Sequence, residues 1–208
     1  DYKVTGVQTC ALPICFAAPG VLLRALDLDG VVVERVDLQD ADGEDSRLEH
    51  AELRQSDLRR SRWTGGLWHR VKAVESDLTQ IDLRGAQVLR CALGPVRMAK
   101  AGFGGARIMN TTFTATELYS ADFSRAVLTR VVFDGYDGST VSLSRTDWTG
   151  AALFEVDFKR ANLYGATFRE ALLFRCDLRG VNLSSADLRG ARLVGCQTHG
   201  VDLDDAQL

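Results

Sequence analysis

From Leu28 onward every fifth residue is large and apolar, and few folds tolerate that spacing. The series runs Leu28, Val33, Leu38, Gly43, Leu48, Leu53, Leu58, Trp63, Trp68, Ala73, Leu78, Leu83 and on to Leu203 and Leu208. Only Gly43, Ala73, Gly138 and Thr198 depart from Leu, Ile, Val, Met, Phe or Trp. Two residues before each lies a second column of small residues, such as Ala41, Ser46, Ala51, Ser56, Ser61, Gly66, Ala161, Ala166, Ala171 and Cys176. Between the columns sits a polar position, often Asp or Asn: Asp77, Asp82, Asp122, Asn162, Asp177, Asn182, Asp187.

Apolar residues two apart with a polar one between define one face of a short extended segment. The two residues that follow are commonly Arg, Ser, Thr or Gly, which suits a turn. An α-helix is excluded, because a step of five rotates about 140° and smears the stripe around the cylinder. A flat sheet needs strands longer than three residues. What remains is a coil that turns a corner every five residues and stacks on itself about 4.8 Å per layer.

The stretches Ala121–Arg125 (ADFSR), Ala161–Gly165 (ANLYG), Val181–Ser185 (VNLSS) and Ala186–Gly190 (ADLRG) resemble the A-(D/N)-L-X-X signature of the pentapeptide repeat family. The resemblance spans roughly residues 26 to 208. It implies an all-β, right-handed quadrilateral β-solenoid with four repeats per coil, about nine coils and a rod ~40 to 45 Å long. The expected organisation is a solenoid over 21–208 preceded by a non-native or irregular segment over 1–20. That segment lacks the period, and Val4–Ile14 matches the translation of a sequencing-library adapter. A signal peptide is the rival reading, weakened by Pro13 inside the apolar run and by Lys3 as the sole preceding positive charge.

Close packing accounts for the exceptions to the pattern. With four repeats per coil, Gly43 lies against Trp63 and makes room for its indole, and Ala73 follows Trp68 around one coil. Tyr136 and Gly138 exchange volumes between columns. Asp134–Thr140 (DGYDGST) is the expected bulge or loop, with the count from Phe133 to Leu143 preserved and no insertion.

Little in the chain suggests chemistry. His50, His69 and His199 fall at turn positions and are not expected to converge on a metal. Cys91, Cys176 and Cys196 occupy small-column positions and read as reduced core fillers, and an odd total of five cysteines is unlike a disulfide framework. Gly102-Phe103-Gly104-Gly105 is a weak phosphate-loop fragment with no helix after it. No catalytic, cofactor-binding or metal residue is assigned. A net charge of −3 argues against direct nucleic-acid or membrane binding, and no apolar run approaches the ~20 residues of a membrane span. Reduced cysteines fit a cytoplasmic, bacterial protein.

An unbroken register assigns residues to faces. One face would carry the repeats of Leu38, Leu58, Leu78, Met98, Leu118, Gly138, Phe158, Leu178 and Thr198. Its outward row then holds Asp37, Asp57, Asp77, Glu117, Asp137, Asp157 and Asp177, interrupted by Arg97 and followed by Gln197. Family members that protect DNA gyrase from quinolones are thought to mimic duplex DNA, so the resemblance suggests gyrase as an alternative target. Arg59, Arg60, Lys100, Lys159, Arg160 and Arg179 nearly neutralise the row. The adjoining face, through Val33, Leu53, Ala73, Leu93, Phe113, Phe133, Leu153, Leu173 and Leu193, would turn Val132, Ala152, Phe154, Leu172, Phe174 and Val194 outward. Such a patch marks an interface, so the leading expectation is a non-catalytic protein-interaction module. It would contact an unidentified protein or dimerise through Phe154, Leu172, Phe174, Val194 and Val132. Leu208 ends in register, which points to truncation or to end-to-end docking.

Overall fold

The computed structural model describes residues 19–135, 140–159 and 161–208. Tyr136, Asp137, Gly138, Arg160 and the segment resembling an adapter lie outside the described residues. The chain winds into a four-sided parallel β-solenoid, and among the described residues no helix occurs. Taken in chain order from Val36, its sides pass through Leu38, Gly43, Leu48 and Leu53. The third side is an eight-stranded sheet running from Arg47–Glu49 to Arg192–Val194, which the Asp27↔Arg47 bridge extends by one layer. The fourth begins as a six-stranded sheet from Val32–Glu34 to Val132–Asp134. Bridges and one strand pair, Ser76–Asp77 with Val96–Arg97, hold the first and second sides.

The Asp and Asn preference has a local cause. Carboxylate or amide oxygens of Asp57, Asp82, Asp122, Asp147, Asn162, Asp177 and Asn182 accept a hydrogen bond from the backbone N–H two residues on, at 2.8–3.1 Å. This closes the tight corner. Where the position is Leu67, Val127, Ala152 or Leu172 instead, the segment extends into strands such as Leu67–His69 and Leu172–Phe174. Most described corners end in a left-handed residue, for example Asp40 at φ 57° and Arg60 at φ 58°. Between coils the backbone pairs in two directions, as in Arg62 N–H to Ala41 O (2.8 Å) and Leu58 N–H to Asp77 O (2.7 Å).

The interior is filled by the two expected columns, with Leu78, Leu83, Phe123 and Leu163 fully buried. An ideal Cβ on Gly43 would lie 2.3 Å from Trp63 Cε3, so the glycine is the space the indole occupies. Trp63 donates its Nε1–H to Ser61 Oγ (2.9 Å) and Trp148 donates to Thr146 Oγ1 (2.7 Å). Trp68 has Gly66 at the equivalent place, and its buried Nε1 has no partner among the described residues.

Layers repeat every 20 residues up to Val132, as in Leu53↔Ala73 and Phe113↔Phe133. Beyond it Glu117 bridges Ser142, Asp122 bridges Asp147 and Leu128 pairs with Leu153, a step of 25. One whole pentad is therefore inserted between Asp134 and Val141. The change of step falls within Asp134–Thr140, four of whose residues lie outside the described residues; the expectation that nothing is inserted there is corrected. A five-residue insertion is silent in a five-residue period, since every residue stays in its column and only the side changes. The aromatic core follows the corrected register: Phe103, Phe123, Trp148 and Phe168 stack in sequence at 4.7, 4.2 and 5.7 Å. On the opposite side Phe113, Phe133 and Phe158 stack at 5.1 Å each.

Candidate interaction surface

The inserted pentad rotates every later repeat by one side and so redraws both expected surfaces. The acidic row is divided. On the first side Asp37, Asp57 and Asp77 are followed by Arg97 and Glu117, then by Ser142, Asn162, Asn182 and Asp202. Asp157 and Asp177 lie instead on the fourth side beneath Val132. Three of the acids are paired, Asp57 with Arg59 (2.6 Å), Asp77 with Arg97 (3.0 Å) and Asp177 with Arg179 (2.5 Å), whereas among the described residues Asp37, Glu117 and Asp157 are in no ion pair. Arg179 also holds the Asp177 carboxyl below the usual carboxylate range. The single line of negative charge expected from the sequence does not form.

The apolar patch changes in the opposite sense. Phe154, Leu172, Phe174 and Val194 do share adjacent coils, but on the third side, while Val132 stands around the corner on the fourth. In the corrected register they continue a longer column. Leu89, Met109, Thr129, Phe154, Phe174 and Val194 follow one another along the strand ends of the eight-stranded sheet. Val127, Ala152 and Leu172 lie beside them two residues earlier on the same strands. All are half-buried except Val194, which is 42% exposed. Leu89, Met109, Thr129 and Val127 were missed from the sequence because the silent insertion assigned them to another face.

Arginines frame this column. The corner beside it carries Arg70, Arg90, Asn110, Arg130, Glu155 and Arg175 in successive coils, and Arg107 and Arg192 flank the other edge. Among the described residues Arg90, Arg107, Arg130, Arg175, Arg192 and Glu155 are in no ion pair. The Arg175 guanidinium lies 5.0 Å from the centre of the Phe174 ring. Unpaired guanidiniums around half-buried apolar groups are the composition of a protein contact, with Arg and aromatic residues at its centre.

His69 closes the strand Leu67–His69 rather than lying at a turn as expected, and its ring centre is 6.0 Å from that of His50 on the neighbouring corner. His50 Nδ1 is 3.1 Å from Asp29 and His69 Nδ1 is 2.8 Å from Glu49. Arg47, and next His69, lower the Glu49 carboxyl to about 2. Each imidazole is thus engaged by its own carboxylate, and among the described residues no three potential ligands gather around a metal position. Burial pushes the thiols of Cys91 and Cys176 up to about 12, so neither is a ready nucleophile.

The profile of the family described as pentapeptide repeats matches residues 23–65, 141–170 and 171–208 in eight copies, just over half of the chain. The chain belongs to the pentapeptide repeat family. Among solved structures it is similar to HetL, a pentapeptide repeat protein involved in heterocyst differentiation regulation in the cyanobacterium Nostoc sp. strain PCC 7120. The identity is 26% over 91% of this chain and 88% of HetL, with a TM-score of 0.51. Rfr23 from the cyanobacterium Cyanothece 51142 shares 23% over 57% of this chain and 91% of its own, also at 0.51. The plasmid-mediated fluoroquinolone resistance protein QnrB1 aligns at 21% identity over 90% of this chain and 91% of its own, with a TM-score of 0.47. No curated protein sequence matches the chain.

Proposed function

We propose that this protein is a non-catalytic interaction module whose rigid rod presents the third side to another protein. The observation that carries this is the apolar column from Leu89 to Val194, bordered by arginines without ionic partners. A filled coil supplies no catalytic cleft, whereas a flat sheet face held by its own ladder is already organised for docking. HetL, a pentapeptide repeat protein of similar fold, is involved in heterocyst differentiation regulation, a role that agrees with recognition rather than catalysis. DNA mimicry of the gyrase type is less well supported, because the acids divide between two sides and three of them, Asp57, Asp77 and Asp177, are paired with arginines.

The test compares affinity capture by the wild-type rod with capture by the Phe154→Glu/Phe174→Glu double variant and by an Asp37→Asn/Asp57→Asn/Asp77→Asn variant. Proteins retained by wild type and by the Asn variant but lost from the Glu variant are expected. Identical sets from wild type and the Glu variant would refute use of the third side. A gyrase supercoiling assay run alongside should show no inhibition.

A further inference from the structure

We infer that a second copy of this chain occupies the third side, lying antiparallel to the first, with the two-fold axis between the coil of Thr129 and that of Phe154. This rests on the interaction surface proposed above and names its occupant. A symmetric dimer needs a surface complementary to itself, and two orientations of an axis lying in such a contact keep the rods aligned. With the axis along the rod, each corner column faces the partner's opposite edge at the same level. Arg130 would then cover the partner's Val127, Glu155 the partner's Ala152 and Arg175 the partner's Leu172, which desolvates charge against apolar groups at three of the six levels.

With the axis across the rod, each column faces itself in reverse order. Arg130 then meets the partner's Glu155, and the pair occurs twice. Arg175 meets the partner's Asn110, and Arg192 the partner's Gln87. In the apolar column Phe174 faces the partner's Met109, Phe154 the partner's Thr129 and Val194 the partner's Leu89. No arginine is brought opposite another, only Arg107, facing the partner's Leu172, is set against an apolar group, and the bulky Phe154 ring meets one of the smallest members of the column. Arg130 and Glu155 are both exposed and stand in adjacent coils, and among the described residues neither is in an ion pair.

The contact area sets the expected strength. Six coils, from that of Leu89 to that of Val194, span about 29 Å. A five-residue side is at most about 16 Å wide, giving roughly 460 Å² per partner against about 800 Å² in a standard interface. The dimer should therefore be weak and dissociate on dilution, and its assays belong at high protein concentration.

Leu89 and Val194 provide the decisive experiment. Cys10, Cys15 and Cys196 are replaced by Ser, and Leu89→Cys and Val194→Cys are made separately in that background. Each is treated with a short bismaleimide alone and after mixing. Covalent dimer is expected from the mixture and not from either variant alone, because each position lies five coils from its own copy in the antiparallel pair. Self-crosslinking of a single variant would mean parallel rods, and no dimer in any sample would remove the second copy as occupant; either overturns the inference. As a second measurement, Arg130→Glu and Glu155→Arg should each weaken sedimentation-derived dimerisation about 10-fold, with the double variant restored. A double variant as weak as the singles would also overturn it. None of these failures would alter which cellular proteins depend on Phe154 and Phe174, so the two proposals fail separately.

Discussion

Replacing Gly43 by Leu would move the chain closer to its own repeat pattern, yet the structure predicts that it destabilises the protein. Gly43 occupies the large apolar column, where Leu is the commonest residue. A Cβ added there would lie 2.3, 2.5 and 2.8 Å from three carbons of the Trp63 ring, all well inside an ordinary carbon contact of about 3.5–4.0 Å. The backbone has little freedom to retreat, since Gly43 N–H donates to Arg62 O at 2.7 Å and Gly43 O accepts from Ser46 N–H at 3.1 Å. Trp63 would have to move, losing its bond to Ser61 and its edge contact with Trp68 at 5.8 Å. Overpacking of this kind costs about 1–3 kcal/mol, and the lost hydrogen bond adds about 1. At about 2–4 °C per kcal/mol for a chain of this size, the expected fall in Tm is roughly 5–15 °C. Gly43→Ala should fall by less. Trp63→Leu alone should also destabilise, by leaving a cavity. Combined with Gly43→Leu it should recover most of the loss, giving a coupling of about 1–3 kcal/mol in a double-mutant cycle. Thermal unfolding followed by circular dichroism supplies the Tm values. Because solenoids can open from one end, hydrogen exchange over the first coils should report the same order of stability. A Tm at or above wild type for Gly43→Leu with Trp63 in place would refute the packing argument. So would single losses that simply add in the double variant.

Trp63→Phe and Trp68→Phe remove the same ring volume, but only the first breaks an indole hydrogen bond, so in chemical denaturation it should be the costlier by about 1 kcal/mol. Deleting Gly135–Ser139 should leave the Tm and the aromatic stack intact, because it returns the long coil to 20 residues and moves no later repeat to another side. Deleting Ala106–Asn110 instead should lower the Tm and abolish self-association by dividing the apolar column; equal outcomes for the two deletions would contradict the register. Arg62, assisted by Arg24, holds the Asp42 carboxyl at about 2 against an ordinary 3.8. A carboxyl whose folded pKa is depressed stabilises the native state above its unfolded value, and that stability is lost as pH falls from about 4 toward 2. Asp42→Asn should therefore flatten the acid limb of a Tm-against-pH curve, and an unchanged limb would show that the pairing contributes nothing.

The sequence alone determined every property that repeats with the pentad. Side chains at two positions fill the interior, Asp and Asn close corners, and Gly43 yields to Trp63; these follow from column membership and from neighbours one coil away. It also located the irregularity near Asp134. Only the tertiary structure decided on which of four sides each later repeat stands, because side identity repeats every 20 residues while the chemistry repeats every five. Inserting one pentad changes the first and leaves the second untouched. For that reason Phe154 and Phe174 were recognised as outward-facing from sequence, yet their continuity with Leu89 and Met109, and their separation from Val132, emerged only when the coils were stacked.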